Sequence, residues 1–174
     1  MKRLLTLLLL LFPLSAFAAM PVGSTPSALT LDGEDGGLVA GGEWSSSSLK
    51  GKMTLLFYVD PDEKKLNDEA TTEFKKHPKD LKKFQSVAVI NMDATWLPNG
   101  AIQSSLEKKQ KEFPDTIYVM DKTKKLVKEW SLGDDNNDIT LLDADGKVLF
   151  SKDGELTPEE IQKLVELIGA YAGI

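Results

Sequence analysis

Acidic side chains that could perform acid/base chemistry follow an apolar run in the stretch LLFYVDPDEKKLNDEA, residues 55–70. Asp60 and Asp62 form a close carboxylate pair, and Lys65 follows three residues later. In α/β proteins, ligand sites are built where the chain leaves a strand and enters a helix, so this crossing is the first candidate site. Neighbouring surface acids are common, however, so two carboxylates alone are a weak indication of catalysis.

A second acidic stretch, GDDNNDITLLDADG at residues 133–146, contains the oxygen-bearing side chains that hard cations prefer. Asp134, Asn136 and Asp138 alternate at the spacing that opens a calcium-binding loop. The match ends at Ile139, which stands where such a loop requires Gly, and no Glu closes the stretch. A solvated turn is therefore the favoured interpretation, with a non-standard calcium site as the alternative.

The residue types that the chain lacks exclude other chemistry. The 174 residues include no cysteine and one histidine, His77. Disulfide exchange and peroxide reduction both require a thiolate, so neither activity is possible. A single histidine cannot build a multi-histidine zinc site, and a structural zinc site would lack its cysteines. We expect no cofactor and no enzymatic activity, with carboxylate-based catalysis left open.

Hydrophobic patterns around the two acidic stretches predict alternating strands and helices. The predicted strands span residues 51–60, 86–93 and 116–121, and the predicted helices 62–76 and 100–113. An Asp-Gly turn at 145–146 predicts a hairpin. Thr157, Pro158 and Glu160 form a capping box that predicts the start of a final helix. This order favours an α/β fold with a central mixed sheet, helices on both faces, and a C-terminal β-hairpin plus helix.

The first 18 residues have the layout of a cleavable secretory signal peptide. Lys2 and Arg3 precede an apolar run that ends in the small-residue pattern Ala16-Phe17-Ala18. We therefore expect export to the periplasm, no membrane anchor after cleavage, and a single mature domain over residues 19–174. Removing the two basic residues takes the net charge from −6 to −8, which disfavours nucleic acid as a partner.

Three stretches resemble a known family. They are SSLEKKQKEFP (104–114), VMDKTKKLVKEWSL (119–132) and LLDADGKVLFSKDGELTPEE (141–160). They are similar to the YtfJ family of secreted bacterial proteins, which is thioredoxin-like and functionally uncharacterised. The resemblance implies a thioredoxin-like fold with Asp62 and Lys65 about where two redox cysteines would stand. It also implies that residues 136–138 replace the cis-proline of the redox enzymes.

In thioredoxin-like folds, the crossing and the loop before the penultimate strand form one shallow surface that docks extended peptide. We therefore predict a periplasmic, redox-inactive module that binds a protein or peptide, or acts as an accessory factor. The candidate binding surface comprises Asp60, Asp62, Lys65, Trp96, Asn136, Asn137 and Asp138. Trp96 could be an aromatic anchor or a cap over the core. The alternative function is a cation-binding or carboxylate-dependent enzyme that uses residues 133–146.

Overall fold

The computed structural model describes residues 19–77 and 80–172, so the predicted signal peptide lies outside the described residues. The strands are β1 (Thr30–Leu31), β2 (Gly36–Leu38), β3 (Trp44–Ser45), β4 (Met53–Val59), β5 (Phe84–Asn91), β6 (Thr116–Asp121), β7 (Asn137–Leu142) and β8 (Val148–Lys152). The helices are α1 (Asp68–Lys76), α2 (Asn99–Glu112), α3 (Lys125–Trp130) and α4 (Pro158–Ala172). Two short 3₁₀ helices, Gly33–Asp35 and Ser46–Leu49, interrupt the N-terminal segment.

Six strands form one mixed sheet in the order β2-β6-β5-β4-β7-β8. Strands β4, β5 and β6 are parallel, whereas β2, β7 and β8 pair antiparallel with their neighbours. Strand β4 is hydrogen-bonded on both edges, which accounts for its nearly continuous apolar sequence. The mixed sheet and the C-terminal hairpin followed by α4 confirm the predicted architecture.

Side chains that alternate along β4 point to opposite faces of the sheet. Leu55 packs in a cluster that includes residues of α1 and α4. Leu56 and Tyr58 pack in a second cluster with Trp44 and with Trp130 of α3. The two tryptophan rings meet edge to face at 6.3 Å between centroids. Helices therefore cover both faces, and Trp130 lies in the core.

Helix α1 begins at Asp68, six residues later than the predicted start at residue 62. The Asp60 carboxylate accepts a hydrogen bond from the Asp62 N–H at 2.8 Å, and the Glu63 N–H donates to the Asp60 carbonyl. Such local side-chain bonds compete with helix formation. Residues 61–66 consequently form turns, and the helix proper buries Ala70 and Phe74.

The capping box at the start of α4 is present. The Thr157 N–H donates to Glu160 Oε2 at 2.9 Å, and the Glu160 N–H donates to Thr157 Oγ1 at 3.3 Å. The preceding hairpin closes with Gly146 at a φ of 80°, a conformation that glycine adopts without a steric penalty. Both features were predicted from short-range sequence patterns.

A single amide side chain connects three segments of the fold. Asn67, the residue before α1, is 4% exposed. Its Nδ2 donates to the carbonyls of Asn137 (3.3 Å) and Gly154 (3.2 Å), and its Oδ1 accepts the N–H of Leu156 at 2.9 Å. These bonds fix the start of α1 against the start of β7 and against the segment between β8 and α4.

Replacing Asn67 by Ala is expected to lower the free energy of unfolding by about 3 kcal/mol, because buried backbone groups lose their partners. Urea denaturation measures this change. Asn99→Ala, at an exposed position in the first turn of α2, is the control and should stay within about 0.5 kcal/mol of the wild type. An equal loss in both variants would contradict a structural role for the Asn67 amide.

Candidate functional site

The crossing after β4 and the loop before β7 lie side by side, as predicted. The Asp60 N–H donates to the Asn136 carbonyl at 2.9 Å, and Asn137 Nδ2 donates to the Glu63 carbonyl at 3.3 Å. Val59 lies directly opposite Asn137 in the β4–β7 register. The two segments therefore form one continuous edge at the carboxyl end of β4.

Three residues of the predicted surface are buried rather than exposed. Asp60 is 4% exposed, Asn137 3% and Asp138 1%. Asn137 and Asp138 belong to β7, an interior strand, and the Asp60 side chain turns inward to cap the crossing. Burial raises the pKa of Asp60, although the Asp62 N–H opposes this effect. These three residues can therefore support the candidate binding surface from beneath, but their side chains are not exposed on it.

The remaining predicted residues reach solvent. Asp62 and Lys65 are exposed on the turns between β4 and α1, and Asn136 is half-buried beside them. Trp96, in the loop between β5 and α2, is 87% exposed. It therefore does not cap the core, which leaves the anchor interpretation of this residue as a prediction.

Asp138, which is buried, and Asp153, which is half-buried, form a pair of carboxyl groups at the end of the C-terminal hairpin. The two side chains are within hydrogen-bonding contact. Among the described residues, neither Asp138 Oδ1 nor Asp153 Oδ1 has a donor, whereas Asp138 Oδ2 accepts the Gly133 N–H at 2.7 Å. Gly133 leaves room for this pair, because a Cβ at that position would lie 2.5 Å from Asp153 Oδ1 and would displace that side chain.

The electrostatics of this pair favour one shared proton. Burial raises the pKa of Asp138 to about 8, and the nearby charge of Asp153 acts in the same direction. The Gly133 N–H opposes the shift but is the weaker influence. Two adjacent carboxylates whose Oδ1 atoms have no donor cannot both ionise at low cost, so a proton shared by the pair completes the hydrogen bonding.

The candidate calcium ligands have separate partners. Asp134 lies 2.9 Å from Lys124 Nζ and accepts a hydrogen bond from Asn91 Nδ2 at 3.0 Å. Burial alone would raise the pKa of Asp134, but these two bonds outweigh it and lower the pKa. Asn136 Oδ1 accepts the N–H of the next residue, and Asp138 belongs to the carboxyl pair. Across residues 19–77 and 80–172, no group of three or more His, Cys, Asp or Glu could hold a metal ion, and calcium binding stays a prediction.

Sequence reasoning missed two residues that shape this region, Asn67 and Asp153. Both stand in polar stretches that are typical of solvated turns. Their partners lie far along the chain: Asn67 contacts residues 70 to 89 positions away, and Asp153 follows its partner by a whole hairpin. The D-G pair at 153–154 was a weak signal, because it indicates only a turn.

A family model described as a bacterial protein of unknown function (YtfJ_HI0045) matches residues 30–171. The uncharacterized protein YtfJ of Escherichia coli (strain K12) is 29% identical over 182 residues, which cover 97% of this chain and 96% of that protein. This similarity extends over essentially the whole of both chains.

Solved structures share the fold at low sequence identity. A solution structure from Bacteroides thetaiotaomicron, classed by its name with the protein disulfide isomerases, has a TM-score of 0.63 at 18% identity and covers 91% of this chain and 94% of that one. A thiol-disulfide isomerase from Corynebacterium glutamicum has a TM-score of 0.58 at 16% identity, with coverages of 84% and 97%. The thioredoxin-like fold is thereby confirmed.

The carboxyl pair predicts that stability falls as the pH rises. Unfolded Asp138 releases its proton near pH 4, whereas the folded protein holds it up to about pH 8. Between these values the folded state binds the extra proton, so the free energy of unfolding decreases from pH 4 to pH 8. Asp138→Asn can donate to Asp153 at every pH and should remove this slope.

Urea denaturation at pH 5 and pH 8 measures the effect. We expect Asp138→Asn to exceed the wild type at pH 8 by on the order of a few kcal/mol, with a smaller difference at pH 5. Asp145→Asn, at an exposed position in the hairpin turn, should follow the wild-type profile at both values. Parallel profiles for the wild type and Asp138→Asn would rule out the shared proton.

Proposed function

The chain belongs to the YtfJ_HI0045 family of bacterial proteins of unknown function, as its matching stretches predicted, and on that premise we propose that it is a periplasmic binding module. It binds a protein or peptide partner through the crossing surface, which we define as Asp62, Glu63, Lys64, Lys65, Asp135 and Asn136. One observation carries the proposal. A thioredoxin-like fold without cysteine presents exposed charged side chains about where its redox relatives hold their thiols.

The charges of the crossing surface are available to a partner. Asp62, Glu63, Lys64 and Lys65 are all exposed, and the ion pairs found within residues 19–77 and 80–172 use none of them. A partner can therefore pair with these charges without breaking an ion pair of this set. Exposed charges of both signs set partner specificity and association rate more than affinity.

The framework beneath this surface is rigid enough to hold it in one arrangement. The Asp60 carboxylate fixes the first turn, Asn137 Nδ2 fixes the Glu63 carbonyl, and Asn67 fixes the start of α1. A preorganised surface loses less conformational entropy on binding than a flexible loop. The buried polar residues thus support the binding role without contacting the partner.

The periplasmic location rests on the signal-like pattern of residues 1–18 and on the secreted character of the family that the chain resembles. Among the described residues, no helix is long and apolar enough to cross a membrane. The absence of cysteine excludes thiol chemistry from this role.

Site-specific photo-crosslinking in the periplasm of the native bacterium tests this proposal. A photoreactive amino acid at Asp62 or Asp135 is expected to give an adduct of one discrete mass. These positions are exposed and lie on the two segments that form the crossing surface. The adduct should weaken when Lys65→Glu is combined with the probe at Asp62, because that change reverses a charge of the surface.

A probe at Lys163, exposed on α4, is the control position and should give no such adduct. Equal adducts at all three positions would indicate non-specific encounter and would contradict a dedicated site. Absence of an adduct at both Asp62 and Asp135 would likewise refute a stable protein partner at this surface.

A further inference from the structure

The central strand of the sheet is incompletely covered on one face. Phe57 and Val59 of β4 are only half-buried, although interior strands of a sheet covered on both faces are normally buried throughout. Helix α1 begins only at Asp68, and Pro61 and Lys64 of the turns before it line an opening beside the carboxyl half of β4. The apolar side chains of Phe57 and Val59 are therefore partly open to solvent between α1 and α2.

This opening is an apolar groove of about 470 Å³ between α1 and α2. Its apolar lining includes Phe57, Val59, Ile90, Ile102, Leu106 and Phe113. A second cavity of about 410 Å³ continues from it past Lys75 and Phe113 towards Leu81, which is 48% exposed. Both volumes lie within the range of clefts that hold small ligands, roughly 300–1,000 Å³.

Lysine side chains line the groove between α1 and α2, although the protein as a whole is acidic. Lys64, Lys75 and Lys109 line it, against the single acid Asp68, whereas the whole chain carries a net charge of −6. Lys75 Nζ lies 4.7 Å from the centroid of the Phe113 ring. Phe113 follows Lys109 by one helical turn at the end of α2. Lys75 and Lys109 therefore bring positive charge from both helices to the end of the groove where the second cavity, which Glu112 and Asp115 also line, begins.

We propose that the α1–α2 groove binds an anionic amphiphile with one acidic head group and an alkyl tail. The head group lies between Lys75 and Lys109, and the tail lies along Phe57 and Val59 towards the crossing. An apolar floor with a few convergent polar groups is the usual composition of a small-ligand site. A protein partner would need a larger contact area than this narrow cleft offers.

The test compares three amphiphiles that share a dodecyl tail and differ in charge: laurate, dodecyltrimethylammonium and dodecyl maltoside, each below its micelle concentration. Calorimetry gives the affinity, and amide NMR spectra of the full mature chain locate the site. We expect saturable one-to-one binding of laurate, at least tenfold tighter than the cation, with shifts at Thr71, Ile102 and Leu106.

Two matched pairs of variants separate charge from shape. Lys75→Gln with Lys109→Gln should weaken laurate binding about fivefold, whereas Lys108→Gln with Lys111→Gln removes the same charge from exposed positions outside the groove lining and should have no effect. Ser105→Phe fills the groove and should abolish binding. Ser104→Phe, at the exposed neighbouring position that does not line the groove, should preserve it.

Equal affinity for the three head groups, or NMR shifts outside the groove, would overturn the proposal. So would the absence of saturable laurate binding, even if an acidic amphipathic peptide bound in its place. Lys64 belongs to both the groove and the crossing surface, so the two sites need a variant that changes one of them alone. Ser105→Phe is such a variant, because Ser105 lines the groove and is not part of the crossing surface. Loss of laurate binding with retention of the Asp62 crosslink supports an independent small-ligand site, whereas loss of both would contradict that independence.

Discussion

The arrangement of both candidate sites depends on the buried side chain of Asn67. Backbone polar groups removed from water need partners, and this one amide, itself at the start of α1, supplies partners to three of them on two further segments. It ties the start of α1 to Asn137, which lines the groove. An apolar residue of similar size would leave the same three segments without a common reference point.

The carboxyl pair of Asp138 and Asp153 has a different energetic character, although it lies at the same end of the sheet. Asn67 satisfies its neighbours at every pH, whereas the pair is satisfied only while it holds a proton. Tyr58, opposite Asp138 in the sheet, donates to Asp121 at 3.1 Å and offers the pair no donor in that arrangement. The end of the C-terminal hairpin is therefore the part of this region that is most sensitive to pH.

Local patterns predicted the elements well, because their causes are local. The continuous apolar run of β4, the capping box at Thr157 and the Asp-Gly turn each depend on residues within a few positions. The burial of Asn137 and Asp138 could not be predicted in this way. Their polar side chains favour solvent by type, and their burial follows from the pairing of β7 between β4 and β8, which folding establishes. The predicted start of α1 was wrong. The hydrogen bond that the Asp60 carboxylate accepts stabilises a turn where the sequence pattern favours a helix.

That same bond connects the two proposed sites. Because Asp60 caps a turn, residues 61–66 after β4 form turns and bends rather than helix. The turns expose charged side chains at the crossing and also shorten α1 to nine residues, which leaves Phe57 and Val59 half-covered. In a helix that began at residue 62, the backbone groups of this segment would be hydrogen-bonded within the helix, and the helix would cover more of Phe57 and Val59. The crossing surface and the α1–α2 groove thus both depend on the turns that Asp60 stabilises between β4 and α1.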